Sequence, residues 1–354
     1  MLALQFPELH RMDLVEVPRP ETGPCDLLVR VASSGICGTD PHILHGLYPA
    51  TFPVIPGHEY AGVVEAVGPE VDGFRPGDHV AADPNILCGS CSFCRAGKGH
   101  LCKNLVALGV NLPGGFAEFS IVPARQAYLL PSELPLAHAA LAEPVACCLR
   151  GMDLAQVRSG DRVAVFGAGP MGAIMLQLAL MQGASAVIMI DPQEGRRARA
   201  EAMGAHWVID PGKEPPVPAI RDEYPDGLEV VFDCSGNTRA VRQGLEVVMR
   251  GGTMMCYGVC NKEEQIEISP FWINDNEITI RGSYNNPNTM GRAVGLIASL
   301  RLDAAAVVTH HFELKHAPEA FRATGSSETL KVVIDPQSMT GRNHDDDDVT
   351  RCEP

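Results

Sequence analysis

Hydrophobic and polar positions change rhythm partway along the chain. In the first part, apolar residues come in short runs or alternate with polar ones, between closely spaced Gly and Pro. The run LLVRV at 27–31 reads as a strand, with Pro20, Gly23 and Pro24 upstream. GICGTDPHILHG at 35–46 reads as a Gly-punctuated loop, and an alternating strand follows within PGHEYAGVVEAVG. RPGDHV at 75–80 is a turn into another strand, and 114–131 returns to strand character. This pattern predicts a compact, barrel-like β domain. Residues 135–148 then read as a helix.

From Arg162 the pattern alternates. Strands are expected at 163–166, 187–190, 207–210, 229–233, 253–258 and 278–281, with helices at 170–182, 195–203 and 238–249. Such alternation predicts an α/β fold with a doubly wound parallel sheet covered on both faces. A helix at 290–301 and a strand at 329–335 break the count. They are expected to return to the first domain, so that the parallel-sheet domain is an insertion. Residues after about 337, including Asp345–Asp348, read as a flexible polar tail.

Within the alternating half, RVAVFGAGPMGAIMLQLALMQGASAVIMID at 162–191 carries G-x-G-x-x-G between a strand and a helix. Gly167 permits a tight turn, Gly169 lets a pyrophosphate approach the backbone, and Gly172 lets helix and strand lie close. Pro170 and Met171 open the helix, whose free N–H groups face the phosphates. Asp191 follows at the tip of the second strand, where a carboxylate accepts hydrogen bonds from ribose hydroxyls and repels a 2′-phosphate, favouring NAD over NADP. Ser235, Gly258 and Val259, at carboxyl ends of later strands, are expected to line the cofactor. Arg196 and Arg197 either flank the adenine or are solvated helix charges.

Length and charge then narrow the class. A chain of 354 residues predicts two domains, and 45% apolar residues suffice for ordinary cores. The net charge of −15 argues against nucleic acid or an anionic membrane as partner. No apolar run is long enough to span a bilayer, and MLALQFPELHRMDL shows no signal-peptide pattern. Twelve cysteines then point to a reducing compartment, the cytoplasm, with metal or core roles.

Four of them, Cys88, Cys91, Cys94 and Cys102, sit on a polar loop at C-x2-C-x2-C-x7-C spacing. Four thiolates suit a tetrahedral structural zinc, with an iron–sulfur cluster as the rival. Cys37, His58, Glu59 and Glu143 form a candidate second metal site, since sulfur, imidazole and carboxylate together suit a catalytic zinc with one open position. Singly, each has a bland explanation as a core or capping residue.

CGTD at 37–40, GHEYAGVVEAVG at 57–68, the four-cysteine lobe and GAGPMG occur in one order. Together they resemble the zinc-dependent medium-chain alcohol dehydrogenase family over residues 2–336. EPVACC around Glu143 resembles its polyol (sorbitol, iditol, arabitol) dehydrogenase branch. The resemblance implies a GroES-like β-rich catalytic domain over 1–147 and 286–336, a Rossmann NAD-binding domain over 148–285, and two zinc ions per chain. It implies Cys37 and His58 as ligands of the catalytic zinc, Glu59 as a third, and Glu143 as a ligand directly or through water. It also implies hydride transfer from a secondary alcohol to NAD, giving a ketose, with Thr39 and His42 relaying the proton to solvent. Tyr48, Phe116 and Tyr284 fall on segments that line the cleft in relatives, and Lys331 matches a basic position near the cofactor phosphates. The implied partner is a small polyol or related alcohol, and relatives assemble as homodimers or homotetramers. Threonine 3-dehydrogenase, 2,3-butanediol dehydrogenase or a sugar-phosphate dehydrogenase stand as alternatives, and a non-catalytic nucleotide-binding relative as the reading from another class.

Overall fold

Strands that are apolar at every position must be covered on both sides. In the computed structural model, which describes residues 1–337, strands of this kind form the centre of a six-stranded parallel sheet. Its order is Trp207–Ile209, Ala186–Ile190, Arg162–Phe166, Leu228–Asp233, Val248–Cys256 and Thr279–Gly282. Counted along the chain this is 3-2-1-4-5-6, the doubly wound arrangement. Val163, Val165, Val187 and Met189 face one core with helices Ala142–Ala155 and Pro170–Met181. Ala164, Phe166, Ile188 and Ile190 face another, with Val241 and Leu245 of helix Thr238–Val247.

The second sheet has seven strands and is mostly antiparallel. Its centre is Asp26–Gly35, paired with Glu59–Val67, Phe119–Pro123 and Lys331–Asp335. The last of these comes from beyond the parallel sheet, so the chain does return to the first sheet. Two registers matter for the site. Gly35 pairs with Glu59, and Gly35 also pairs with Val333. Residues far apart in sequence are thereby carried to one strand end.

Some elements differ from the sequence pattern. Residues 35–46 contain a helix, Thr39–Leu44, where a loop is expected. Its single proline, Pro41, lies in the first turn, where the missing N–H costs no helical bond. Helices Pro216–Glu223 and Pro270–Asn276 and the strand Val308–Glu313 are additional. The helix expected at 135–148 is two helices, Leu136–Ala139 and Ala142–Ala155. The Asp345–Asp348 run and the rest of the expected tail from 338 onward lie outside the described residues. Among the described residues, no helix is long and apolar enough to cross a membrane.

Candidate active site

Cys37 stands two residues past strand Asp26–Gly35, and His58 directly precedes its neighbour Glu59–Val67. The Gly35–Glu59 pairing sets these ends side by side. One ligand atom each from Cys37, His58 and Glu59 all lie within 4.8 Å of one another. Asp40, fully buried, ties the group together: its Oδ2 accepts the Cys37 backbone N–H at 2.8 Å, and its Oδ1 lies 3.5 Å from His58 Nδ1. A carboxylate behind a ligating imidazole fixes the ring and leaves its other nitrogen for the metal. Although burial opposes the charged ring, Cys37 and Asp40 carry the His58 pKa well above the usual imidazole range. A half-buried thiol, a buried imidazole and a buried carboxylate converging in this way are a donor set that fits zinc.

Glu59 meets a second strand end. Lys331, at the start of Lys331–Asp335, donates from Nζ to Glu59 Oε2 at 2.6 Å, to Oε1 at 2.9 Å and to the Ile36 carbonyl at 3.2 Å. Both partners are almost wholly buried. This corrects the expectation that Lys331 lies near the cofactor phosphates. An ammonium has three donor protons, and these contacts use them deep below the surface. Burial opposes its charge, yet Glu59 keeps the Lys331 pKa above the usual lysine value.

Glu143, in the first turn of Ala142–Ala155, opens onto the same cleft, though its carboxylate lies outside the group of mutually close donors. Burial pushes its carboxyl up to about 7, with His58 opposing and Glu59 adding to the shift. Cys147, one turn on, donates its thiol to Glu143 Oε1 at 3.2 Å. Neither Asp40 nor Cys147 is singled out by sequence reasoning. The signals that could have found them are Asp40 three residues after a candidate ligand and the i, i+4 spacing of Glu143 and Cys147.

The cleft encloses about 800 Å³. Thr39 and His42 stand three apart on helix Thr39–Leu44, so both reach it from one face. Thr39 Oγ1 accepts the Cys37 thiol at 3.6 Å. Tyr48 and Tyr284 line the same cleft, and burial together with a hydrogen bond to Tyr284 pushes the Tyr48 phenol up to about 12. Phe116 is a correction: it is fully buried, edge-on to Phe321 at 5.9 Å, and packs beneath Gly57 rather than facing the cleft. A large apolar ring there fills the core between strand ends.

Across the cleft stands the glycine turn. Gly167 has φ +98°, and a Cβ on Gly172 would stand 1.9 Å from the Gly167 carbonyl oxygen. Gly169 caps helix Pro170–Met181 without a side-chain hydrogen bond, leaving the first-turn N–H groups free for an anion. Met171, Ser235, Gly258 and Val259 line the same cleft as Cys37 and His58. Asp191 ends the second strand as expected, with Oδ2 accepting Ala168 N–H at 2.8 Å and Oδ1 accepting Gln193 N–H at 2.8 Å. Arg196 lies beside Gly169, its Nη1 3.5 Å from where a Cβ would be. Arg197 turns inward to the Asp191 carbonyl and to Asp210.

The four cysteines of the polar loop also converge, with Sγ–Sγ separations of 3.5 Å for Cys91–Cys94 and 4.0 Å for Cys88–Cys94 and Cys91–Cys102. Tetrahedral Zn–S bonds place sulfurs about 3.8 Å apart. That spacing holds a single ion and leaves no room for a multi-iron cluster. Backbone N–H groups of Ser90 and Cys91 draw the Cys88 pKa down to about 5, favouring the thiolate.

A glycine turn of this kind, facing a thiol–imidazole–carboxylate donor set beside a four-thiol lobe, defines a zinc-binding, nicotinamide-dependent dehydrogenase. The family model for the alcohol dehydrogenase GroES-like domain matches residues 23–132, and that for the zinc-binding dehydrogenase domain matches 170–299. An L-threonine 3-dehydrogenase of Anaeromyxobacter dehalogenans is 36% identical over 331 residues, covering 90% of this chain and 94% of that protein. A D-altritol 5-dehydrogenase of Agrobacterium fabrum is 37% identical over 338 residues, covering 94% and 98%. A zinc-binding dehydrogenase of Sinorhizobium meliloti, solved bound to NADP, superimposes with a TM-score of 0.93 at 38% identity, covering 95% and 99%. The chain belongs to the zinc-dependent medium-chain alcohol dehydrogenase family.

Proposed function

We propose that the chain oxidises a secondary alcohol of a polyol to a ketose with NAD as acceptor. The observation that carries this reading is the single cleft shared by Cys37, His58, Glu59 and Glu143 with Met171, Ser235, Gly258 and Val259. The altritol dehydrogenase relative supports a polyol as substrate. Zinc held there would supply Lewis acidity at the alcohol oxygen, and NAD in the adjoining site would supply the hydride acceptor. Cys37 and His58 hold the metal, with Glu59 as third donor and Glu143 acting directly or through water. Asp40 orients both firm ligands. Thr39 accepts the alcohol's proton while handing on its own hydroxyl proton, and His42, which lines the same cleft, passes that proton to solvent. Tyr48 and Tyr284 hold the remaining hydroxyls. Gly167, Gly169, Pro170, Met171, Gly172 and Arg196 seat the pyrophosphate, and Asp191 holds the adenosine ribose. Cys88, Cys91, Cys94 and Cys102 bind the second, structural zinc.

On this reading 1–147 and 286–336 form the catalytic domain and 148–285 the NAD-binding domain, working as a homodimer or homotetramer. The free thiols of both metal sites favour a reducing compartment and hence the cytoplasm. A second reading, L-threonine 3-dehydrogenase, draws on relatives of equal similarity. Sorbitol, xylitol, arabitols, ribitol, galactitol and L-threonine, each assayed with NAD and NADP on zinc-loaded protein, separate the two. Turnover of a polyol with NAD is expected, and no turnover of any polyol would sink the assignment. Asp191→Ala should shift preference toward NADP; an unchanged preference would remove Asp191 from the ribose site.

A further inference from the structure

The last strand of the parallel sheet, Thr279–Gly282, delivers Ser283, Tyr284 and Asn285 into the cleft wall. The carboxyl ends of such strands are where an open parallel sheet meets its ligands. Against this segment lies the short strand Asn85–Ile86, paired with Val106–Ala107 across the four-cysteine lobe. Asn85 lines the cleft too. The two segments meet through side-chain amides 200 positions apart in the chain.

That meeting fixes which way each amide points. The order begins at Asp83, which does not itself line the cleft. Its Oδ1 accepts the Asn85 backbone N–H at 3.0 Å and Asn85 Nδ2 at 3.1 Å. A carboxylate accepts and cannot donate, so the NH2 of Asn85 must face it. The same NH2 donates to Asn286 Oδ1 at 2.8 Å. Asn85 Oδ1 is thereby turned to Asn285 and accepts its Nδ2 at 3.2 Å. Asn285 in turn has a single orientation. Its Oδ1 and its second Nδ2 proton have no partner among the described residues. Its φ is +54°, a left-handed value uncommon for a residue with a side chain and concentrated at ligand clamps. On the same segment, Ser283 Oγ is buried with no hydrogen-bond partner among the described residues.

We propose that Asn285, oriented by Asp83 through Asn85, binds substrate hydroxyls other than the one oxidised. An acceptor and a donor on one amide match a vicinal diol: one hydroxyl donates to Oδ1 and its neighbour accepts from Nδ2. A carboxylate, which only accepts, meets half of this. Asn285 is then a specificity-determining residue and Asp83 a positioning residue. The inference rests on the polyol reading of the cleft and assigns hydroxyl recognition within it.

The test compares ribitol, xylitol and galactitol with butan-2-ol, which has the reacting carbinol and no second hydroxyl, on zinc-loaded protein with NAD. Asn285→Gly removes the amide and leaves the left-handed backbone unstrained. The ratio of kcat/KM for the best polyol to that for butan-2-ol should fall about tenfold, through the polyol KM rather than kcat. Binding of that polyol to NADH-saturated protein, read by calorimetry, should weaken by a similar factor. Asn285→Asp, which keeps the shape but cannot donate to Asn85, should lower the ratio as well. Asp83→Ala should lower it part of the way and add nothing to Asn285→Gly in the double variant. A ratio that either Asn285 variant leaves unchanged overturns the proposal. So does an equal loss on every alcohol, the outcome of a staple that only ties the strand end to the lobe. Full additivity of Asp83→Ala removes its positioning role. Wild type that oxidises no polyol removes the polyol reading, and this proposal with it.

Discussion

Two glycines of one turn should fail in different ways when given a methyl group. At Gly172 the added Cβ would stand 1.9 Å from the Gly167 carbonyl oxygen, whereas real Cβ contacts do not fall below 3.0 Å. Strand end and helix must therefore part by about 1 Å in a region where Val165 and Phe166 are fully packed. Overpacking of that kind costs about 1–3 kcal/mol. The same shift carries the first-turn N–H groups away from the phosphates, weakening NADH about tenfold for each 1.4 kcal/mol lost. At Gly169 the nearest heavy atom to an added Cβ is Arg196 Nη1 at 3.5 Å, an ordinary contact, and φ is −69°. Gly169→Ala should fold with little more than an N-cap loss of about 0.5–1 kcal/mol, yet bind NADH at least about tenfold more weakly because its methyl occupies the phosphate's approach. Urea denaturation and NADH fluorescence titration on both variants check this. Gly172→Ala as stable as wild type, or Gly169→Ala the less stable of the two, would refute the assignment of close packing to one glycine and ligand approach to the other.

Lys331→Met should destabilise the protein by about 3–5 kcal/mol, because it strands the Glu59 charge below the surface; the double variant with Glu59→Gln should recover much of this in urea denaturation. Asp40→Asn should weaken zinc binding at the Cys37 centre about 10–100-fold, measured by chelator competition, while the lobe zinc stays bound. Arg162 donates to both carboxylate oxygens of Glu229, and against the opposing effect of burial this holds Glu229 below the usual glutamate range. Its folded pKa being depressed, the pair contributes above the unfolded glutamate value and is lost as pH falls through the folded one. Glu229→Gln should therefore flatten the acid side of the stability–pH curve and leave the alkaline side unchanged.

What the sequence makes legible here is local. Five-residue apolar strands, the glycine turn and the four-cysteine spacing each encode their structure within a few residues. Asp191 is likewise found by its offset from Gly172. The rest depends on strand register. Lys331 reaches Glu59 across 272 positions only because Gly35 pairs with both strands that carry them. No periodicity in the sequence reports that meeting, and a basic residue near the chain's end was equally suited to a phosphate. Phe116 misleads for a related reason: one aromatic among glycines reads the same whether it faces a cleft or fills a core. The helix Thr39–Leu44 is too short for a 3.6-residue period to emerge, and its Pro41 together with the flanking Gly38 and Gly46 mimics a loop. Asp40 escapes notice because its importance is to hold Cys37 and His58, not to be a ligand itself.

The central claim is a catalytic metal centre on Cys37 and His58, separate from the four-thiolate lobe and facing the dinucleotide turn. Zinc content per chain, measured on wild type and on Cys37→Ser alongside NAD-dependent alcohol oxidation, tests it most directly. Two zinc ions should be found in the wild type and one in the variant, with oxidation abolished and the lobe intact. A single zinc in the wild type that survives Cys37→Ser would contradict it.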